Sequence, residues 1–154
     1  MLQTKRADFN AVAARFHISP VTARIIRNRD VEGEEAIDRY LNGTLDQLYD
    51  PHLMKDMDKA ASLILEKIRA GVRIRIVGDY DIDGVCSTYL LYRGLSRCGG
   101  HVDYQIPERI RDGYGINESI IRKAKEDGID TIVTCDNGIA ALEQVRLAKE
   151  LGMT

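Results

Sequence analysis

Ahead of residue 72 the apolar positions recur at helical intervals. Phe9, Val12, Ala13 and Phe16 share one face of a 3.6-residue period. Val21, Ala23, Ile25 and Ile26 repeat the pattern after Ser19-Pro20, a good N-cap and first-turn pair. Glu34 to Leu41 predicts a short helix that ends near Asn42-Gly43. Asp50-Pro51 restarts the chain, and Leu53, Met57, Ala60, Ala61, Ile64, Leu65 and Ile68 predict a long amphipathic helix closed by Gly71. No strand-like run interrupts this part.

From residue 72 the period changes. Val72 to Val77 is rich in β-branched residues, Val85 to Cys98 is helical, and Gly99-Gly100 breaks it. His101 to Ile106 predicts a second strand, Asn117 to Asp127 a helix, Thr131 to Cys135 a third strand and Ile139 to Leu151 a further helix. Strands alternating with helices of this length predict βαβ units. The expected fold is therefore α/β, a Rossmann-like parallel sheet with flanking helices. Residues 1–71 are expected as a helical segment packing on the catalytic domain, and 72–154 as the α/β domain. Gly152 is placed as a helix C-cap, and the alternation calls for another strand straight after it. The expectation is a front portion of a longer protein, truncated within its sheet.

Composition narrows the class. A chain of 154 residues with 44% hydrophobic and 30% charged positions is that of a globular domain, not a disordered one. No apolar run approaches the ~20 residues that span a bilayer, and Met1 to Arg6 has no apolar stretch behind it to make a secretory signal. Cys86, Cys98 and Cys135 are odd in number and lack CxxC spacing, so reduced thiols in a cytoplasmic protein are expected, as small buried side chains. His17, His52 and His101 fall at no zinc-ligand spacing. The net charge of −2 neither suggests nor excludes a nucleic-acid partner. Arg24, Arg27 and Arg29 read as a solvated helix face.

The candidate chemistry begins at Gly78-Asp79-Tyr80-Asp81-Ile82-Asp83-Gly84. Extended chain sends alternate side chains the same way, so Asp79, Asp81 and Asp83 are expected to leave the first strand's end as a row of like charges. Such a row repels itself unless a cation binds it, and hard divalent ions prefer oxygen ligands. A solvated acidic turn is the plain alternative. A second acidic strand end, Thr134-Cys135-Asp136-Asn137-Gly138, places Asp136 where ligands gather in open α/β sheets; a helix-capping carboxylate would look the same. Between them, Arg109 offers donors suited to phosphate, Gly113 and Gly115 permit close backbone approach, and Tyr114 could stack on a base. The Asp79-x-Asp81-x-Asp83-Gly84 spacing also matches the start of an EF-hand loop, but the twelfth position is Leu90 and a strand precedes it. A dehalogenase-type phosphatase is disfavoured because Asp83-Gly84, not threonine, follows Asp81.

In that order, the Gly78–Gly84 motif, Asp112-Gly113-Tyr114-Gly115 and Val133–Gly138 resemble the motifs of the DHH phosphoesterases. The tyrosine variant resembles the RecJ-type branch of single-strand-specific 5′→3′ exonucleases, and Ile18–Arg29 and Asp50–Met57 are similar to that branch's lead-in. The resemblance implies two Mn²⁺ or Mg²⁺ ions, with Asp81 and Asp83 as ligands, Asp136 bridging, and Asp79 a ligand or a neighbour of one. It implies Arg109, Gly113, Tyr114, Gly115 and Asn137 on the phosphate of single-stranded DNA, and a helicase and a single-strand-binding protein as partners in repair and recombination. The Asp-His-His motif that names the family is expected beyond Thr154, so this portion alone is expected to be inactive. A smaller family relative acting on oligonucleotides or cyclic dinucleotides, and a non-enzymatic acidic α/β interaction module, are the other readings.

Overall fold

The structure, a computed structural model, describes residues 5–108, 110, 113 and 115–154. It divides into two compact units, meeting in sequence at Leu53 and Met54.

The first unit is helical. Helix α1 (Phe9–Phe16) is capped by Asp8, whose carboxylate accepts from the Ala11 amide at 2.9 Å, and it ends at His17 in the left-handed region. Ser19 caps α2 (Pro20–Asn28) by accepting from the Thr22 amide, with Pro20 at the first position, as the sequence predicts. Helix α3 (Glu34–Asn42) follows, then two 3₁₀ turns at Leu45–Gln47 and Pro51–Leu53. Ala13, Ala23, Ile26 and Ile37 are the buried apolar residues among the described part of this unit.

The second unit opens with α4 (Met57–Arg69). It starts later than the apolar period suggests, because Asp56 adopts φ 59° and separates the 3₁₀ turn from the helix. Three parallel strands follow: β1 (Arg73–Val77), β2 (His101–Gln105) and β3 (Thr131–Thr134), in the order β2-β1-β3. The helices α5 (Ile82–Arg97), α6 (Glu118–Glu126) and α7 (Leu142–Glu150) connect or follow them. Thr154 donates to the Asp130 carbonyl and accepts from the Ile132 amide, both at 2.8 Å, so the chain rejoins the sheet along the outer side of β3.

The central strand takes the burial. Ile74, Ile76 and Val77 are fully buried, and Val77 belongs to a core with Ile116, Ile120, Ile121, Ala124, Ile129 and Met153. Arg75 is also buried in β1, and each guanidinium nitrogen donates: two bonds of 2.8 Å reach both oxygens of Asp103, and a third of 3.0 Å reaches Asp127. A buried charge needs such partners to be tolerated. All three cysteines are free, but Cys86 and Cys98 are exposed, not buried as expected: Cys86 lies on the outer side of α5 and Cys98 at its C-terminal cap. In register, Val77 lies beside Gln105 and Thr134, so the three strands end together and their following loops share one edge.

Candidate metal centre

The carboxylates meet at that edge. Asp79 follows β1 by two residues and is only 1% exposed, and its Oδ1 is buried with no hydrogen-bond partner among the described residues. Asp81 is the N-cap of α5, exposed, with one oxygen accepting from the Gly84 amide at 2.9 Å. Asp136 lies just past β3 at φ 58°, a left-handed conformation uncommon outside glycine. One carboxylate oxygen from each of Asp79, Asp81 and Asp136 falls within 4.8 Å of the others.

Asp83 stands apart from these three. The expected row requires extended backbone through residue 83, but α5 begins at Ile82, so Asp83 occupies the first helical turn, where the two-residue alternation no longer holds. Its charge still reaches the cluster. The Asp136 carboxyl is pushed up from its ordinary value by lost hydration first, then by the charge of and hydrogen bond with Asp81, then by Asp83 and Asp79.

Close packing brings α5 to this edge. A Cβ built on Gly84 would lie 2.4 Å from the Asp79 carbonyl oxygen, and one on Gly78 would lie 1.9 Å from the Thr88 hydroxyl oxygen. The glycines thus let the first turn of α5 rest on the chain leaving β1. Thr88, which sequence reading missed, is 3% exposed, with its Oγ1 3.4 Å from Cys135 Sγ, and so touches both acidic segments. Its only sequence signal is a polar residue four positions after Gly84.

Asn137 braces the two strand ends, donating its amide to the Val77 and Cys135 carbonyls at 3.1 and 2.9 Å. Gly115, at φ 70°, packs on it, since a Cβ there would lie 3.3 Å from the Asn137 Cβ. Gly113 is at φ 77°. Arg109 and Tyr114 lie outside the described residues. An open cavity of about 600 Å³ adjoins Asp136, lined also by Gly115, Asn137, Gly138 and Gln144; Gln144 carries no motif that would have singled it out.

These groups fit a hard divalent cation. The donors are all carboxylate oxygens, one buried oxygen lacks a partner among the described residues, and lost hydration together with repulsion from Asp81 already disfavours the charged form of Asp136.

Comparison with known proteins points to one family. Residues 73–154 match the DHH family, N-terminal domain. The chain is 38% identical over 143 residues to the single-stranded-DNA-specific exonuclease RecJ of Bacillus subtilis, covering 93% of this chain and 18% of that protein. It is 32% identical to the RecJ of Escherichia coli over 154 residues, 99% of this chain and 26% of that protein. Among solved structures, an exonuclease RecJ bound to manganese superposes with a TM-score of 0.61 at 37% identity, over 65% of this chain and 26% of that one. RecJ of Thermus thermophilus in complex with Mn²⁺ gives 0.60 at 29% identity, over 96% and 20%. The chain thus spans about a fifth to a quarter of the length of these relatives. With a family domain matched over more than half of its residues, and a strand-end carboxylate cluster inside that match, the chain belongs to the DHH family.

Proposed function

We propose that this chain contributes to the metal centre of a phosphodiesterase that degrades single-stranded DNA from its 5′ end. The convergence of Asp79, Asp81 and Asp136 around an unpartnered buried oxygen is the observation that carries this reading. Asp79 and Asp81 would hold a Mn²⁺ or Mg²⁺ ion with Asp136, and Asp83 would sit close enough to add to the field. A divalent ion so held supplies Lewis acidity to a phosphodiester and lowers the pKa of a water. The protein's own contribution is positional. Asn137 ties the ends of β1 and β3 together, Gly84 seats Asp81 beside Asp79, and the cavity beside Asp136 leaves room for a nucleotide. Arg109, Gly113, Tyr114 and Gly115 would hold a phosphate of the single strand.

Three carboxylates are fewer than the roughly six oxygen ligands that such ions take, so this chain alone should bind the ion weakly and hydrolyse little. A protein of the relatives' full length would carry the activity, in DNA repair and recombination, with a helicase and a single-strand-binding protein as partners. A cytoplasmic location agrees with this role, and no described helix is long and apolar enough to cross a membrane.

Calorimetric titration with Mn²⁺ tests the site: weak binding is expected, and Asp79→Asn should abolish it. Tight binding that survives this substitution would refute the ligand assignment. In a full-length version Asp81→Ala should abolish hydrolysis of single-stranded DNA, and retained turnover would refute the catalytic reading.

A further inference from the structure

The metal centre leaves the turn between α1 and α2 unexplained. Three residues, His17 to Ser19, join the helices. His17 takes φ 53° and ψ 41°, its amide bonds the Ala13 carbonyl, and the Ile18 amide bonds the same oxygen at 3.1 Å. Ser19 and Pro20 restart the chain at once. Ala13 and Ala23 are buried at 6% and 2%, small residues that let the helices pack closely, and the larger Ile26 is buried with them at 2%. A solvated face accounts for the arginines of α2 but not for this tight, capped reversal.

The opposite face of α2 is open. Val21, Arg24, Ile25 and Asn28 recur at helical spacing and are all exposed, with Arg29 at the C-cap. Charge is partitioned sharply along the unit. Residues 5–29 hold Lys5, Arg6, Arg15, Arg24, Arg27 and Arg29 against Asp8 alone, and the acids begin at Asp30. Lys5, Arg15 and Arg27 pair with acids from beyond that point, whereas Arg6, Arg24 and Arg29 form no ion pair with another described residue. The Arg24 guanidinium rests 5.3 Å over the Phe9 ring, which orients it without neutralising it.

We propose that α1 and α2 form a helix-turn-helix that lays α2 in the major groove of duplex DNA, a nucleic-acid surface separate from the metal centre. A helix is about 10–12 Å across with its side chains, which a groove about 12 Å wide admits, and nine residues give α2 about 13 Å of length to lie along it. Arg24 and Arg29 face the phosphates, and Val21 and Ile25 present methyl groups suited to thymine. A single strand would need aromatic platforms for its unstacked bases, and α2 carries no aromatic residue.

The test is fluorescence anisotropy of the whole chain with a short labelled duplex in EDTA, which silences any metal centre and keeps the outcome independent of the nuclease reading. Binding should weaken steeply between about 50 and about 200 mM salt. Arg24→Glu with Arg29→Glu should cost at least about tenfold in affinity and lower the log–log salt slope by about 2, while circular dichroism stays unchanged because both positions are exposed. Arg122→Glu with Arg146→Glu, the same charge change elsewhere, should leave binding intact. Unaltered binding by the first double variant, tighter binding of a single strand of equal length, or burial of this face in a dimer seen by light scattering would each overturn the proposal.

Discussion

Replacing Gly84 by alanine sets two known effects against each other in one helix. Alanine in place of a helical glycine ordinarily stabilises by about 0.5–1 kcal/mol, through backbone entropy. Here the new methyl would sit 2.4 Å from the Asp79 carbonyl oxygen, 2.6 Å from its carbon and 2.7 Å from its Cα. Ordinary contact starts near 3.4 Å, so about 1 Å of separation must be created against main chain that cannot rotate away. Overpacking of this kind costs about 1–3 kcal/mol, and the backbone partner places it in the upper part of that range. The net expectation is a loss of about 1–2 kcal/mol. With a urea slope of about 2 kcal/mol per molar, the unfolding midpoint should fall by roughly 0.5–1 M. Gly94→Ala is the control: it lies in the same helix with nothing within 4 Å of the added carbon, and its midpoint should rise. Mn²⁺ affinity should also drop in Gly84→Ala, because α5 carries Asp81 away from Asp79. If both variants are stabilised alike, α5 does not rest on the chain leaving β1 and the proposed geometry of the centre is wrong.

Mn²⁺ at about a hundred times its dissociation constant should stabilise the protein by about 2.7 kcal/mol; chelation should reverse the gain, and Asp79→Asn should show none in a thermal shift assay. Arg75→Met leaves Asp103 and Asp127 facing each other without their shared cation, and should lower stability by about 3 kcal/mol in urea; an unchanged midpoint would remove the bidentate pair from the fold's support. Asp127 is held below its ordinary carboxyl value by Lys123 and then Arg75, and Asp130 by Lys67 and then Thr131. Because both are lowered on folding, their contribution is complete above about pH 4 and is lost as the pH falls through the lower native values. Lys67→Met with Lys123→Met should flatten the acid limb of the stability curve, and an unaltered limb would show that other groups govern it.

Much of this protein is local and could be read along the chain. The Ser19-Pro20 start, the alternation after residue 72 and the glycine stops are each decided within a few residues, by capping, backbone freedom and hydrophobic period. The two acidic strand ends were legible for the same reason, as was their common edge, since parallel strands joined by helices must end side by side. Distances across that edge were not legible. Whether Asp83 continues the row of Asp79 and Asp81 depends on where α5 begins, and Asp81 itself supplies the cap that starts it at Ile82. The near-complete burial of Asp79, the brace from Asn137 to Val77 and the pairing of Arg75 with Asp103 and Asp127 join residues 28 to 60 positions apart. Sequence alone determined which residue types reach the strand ends, because alternation and capping act over short range. Only tertiary packing decided which of those charges share one site, because electrostatic contact depends on ångström-scale separations that the chain sets by folding back on itself.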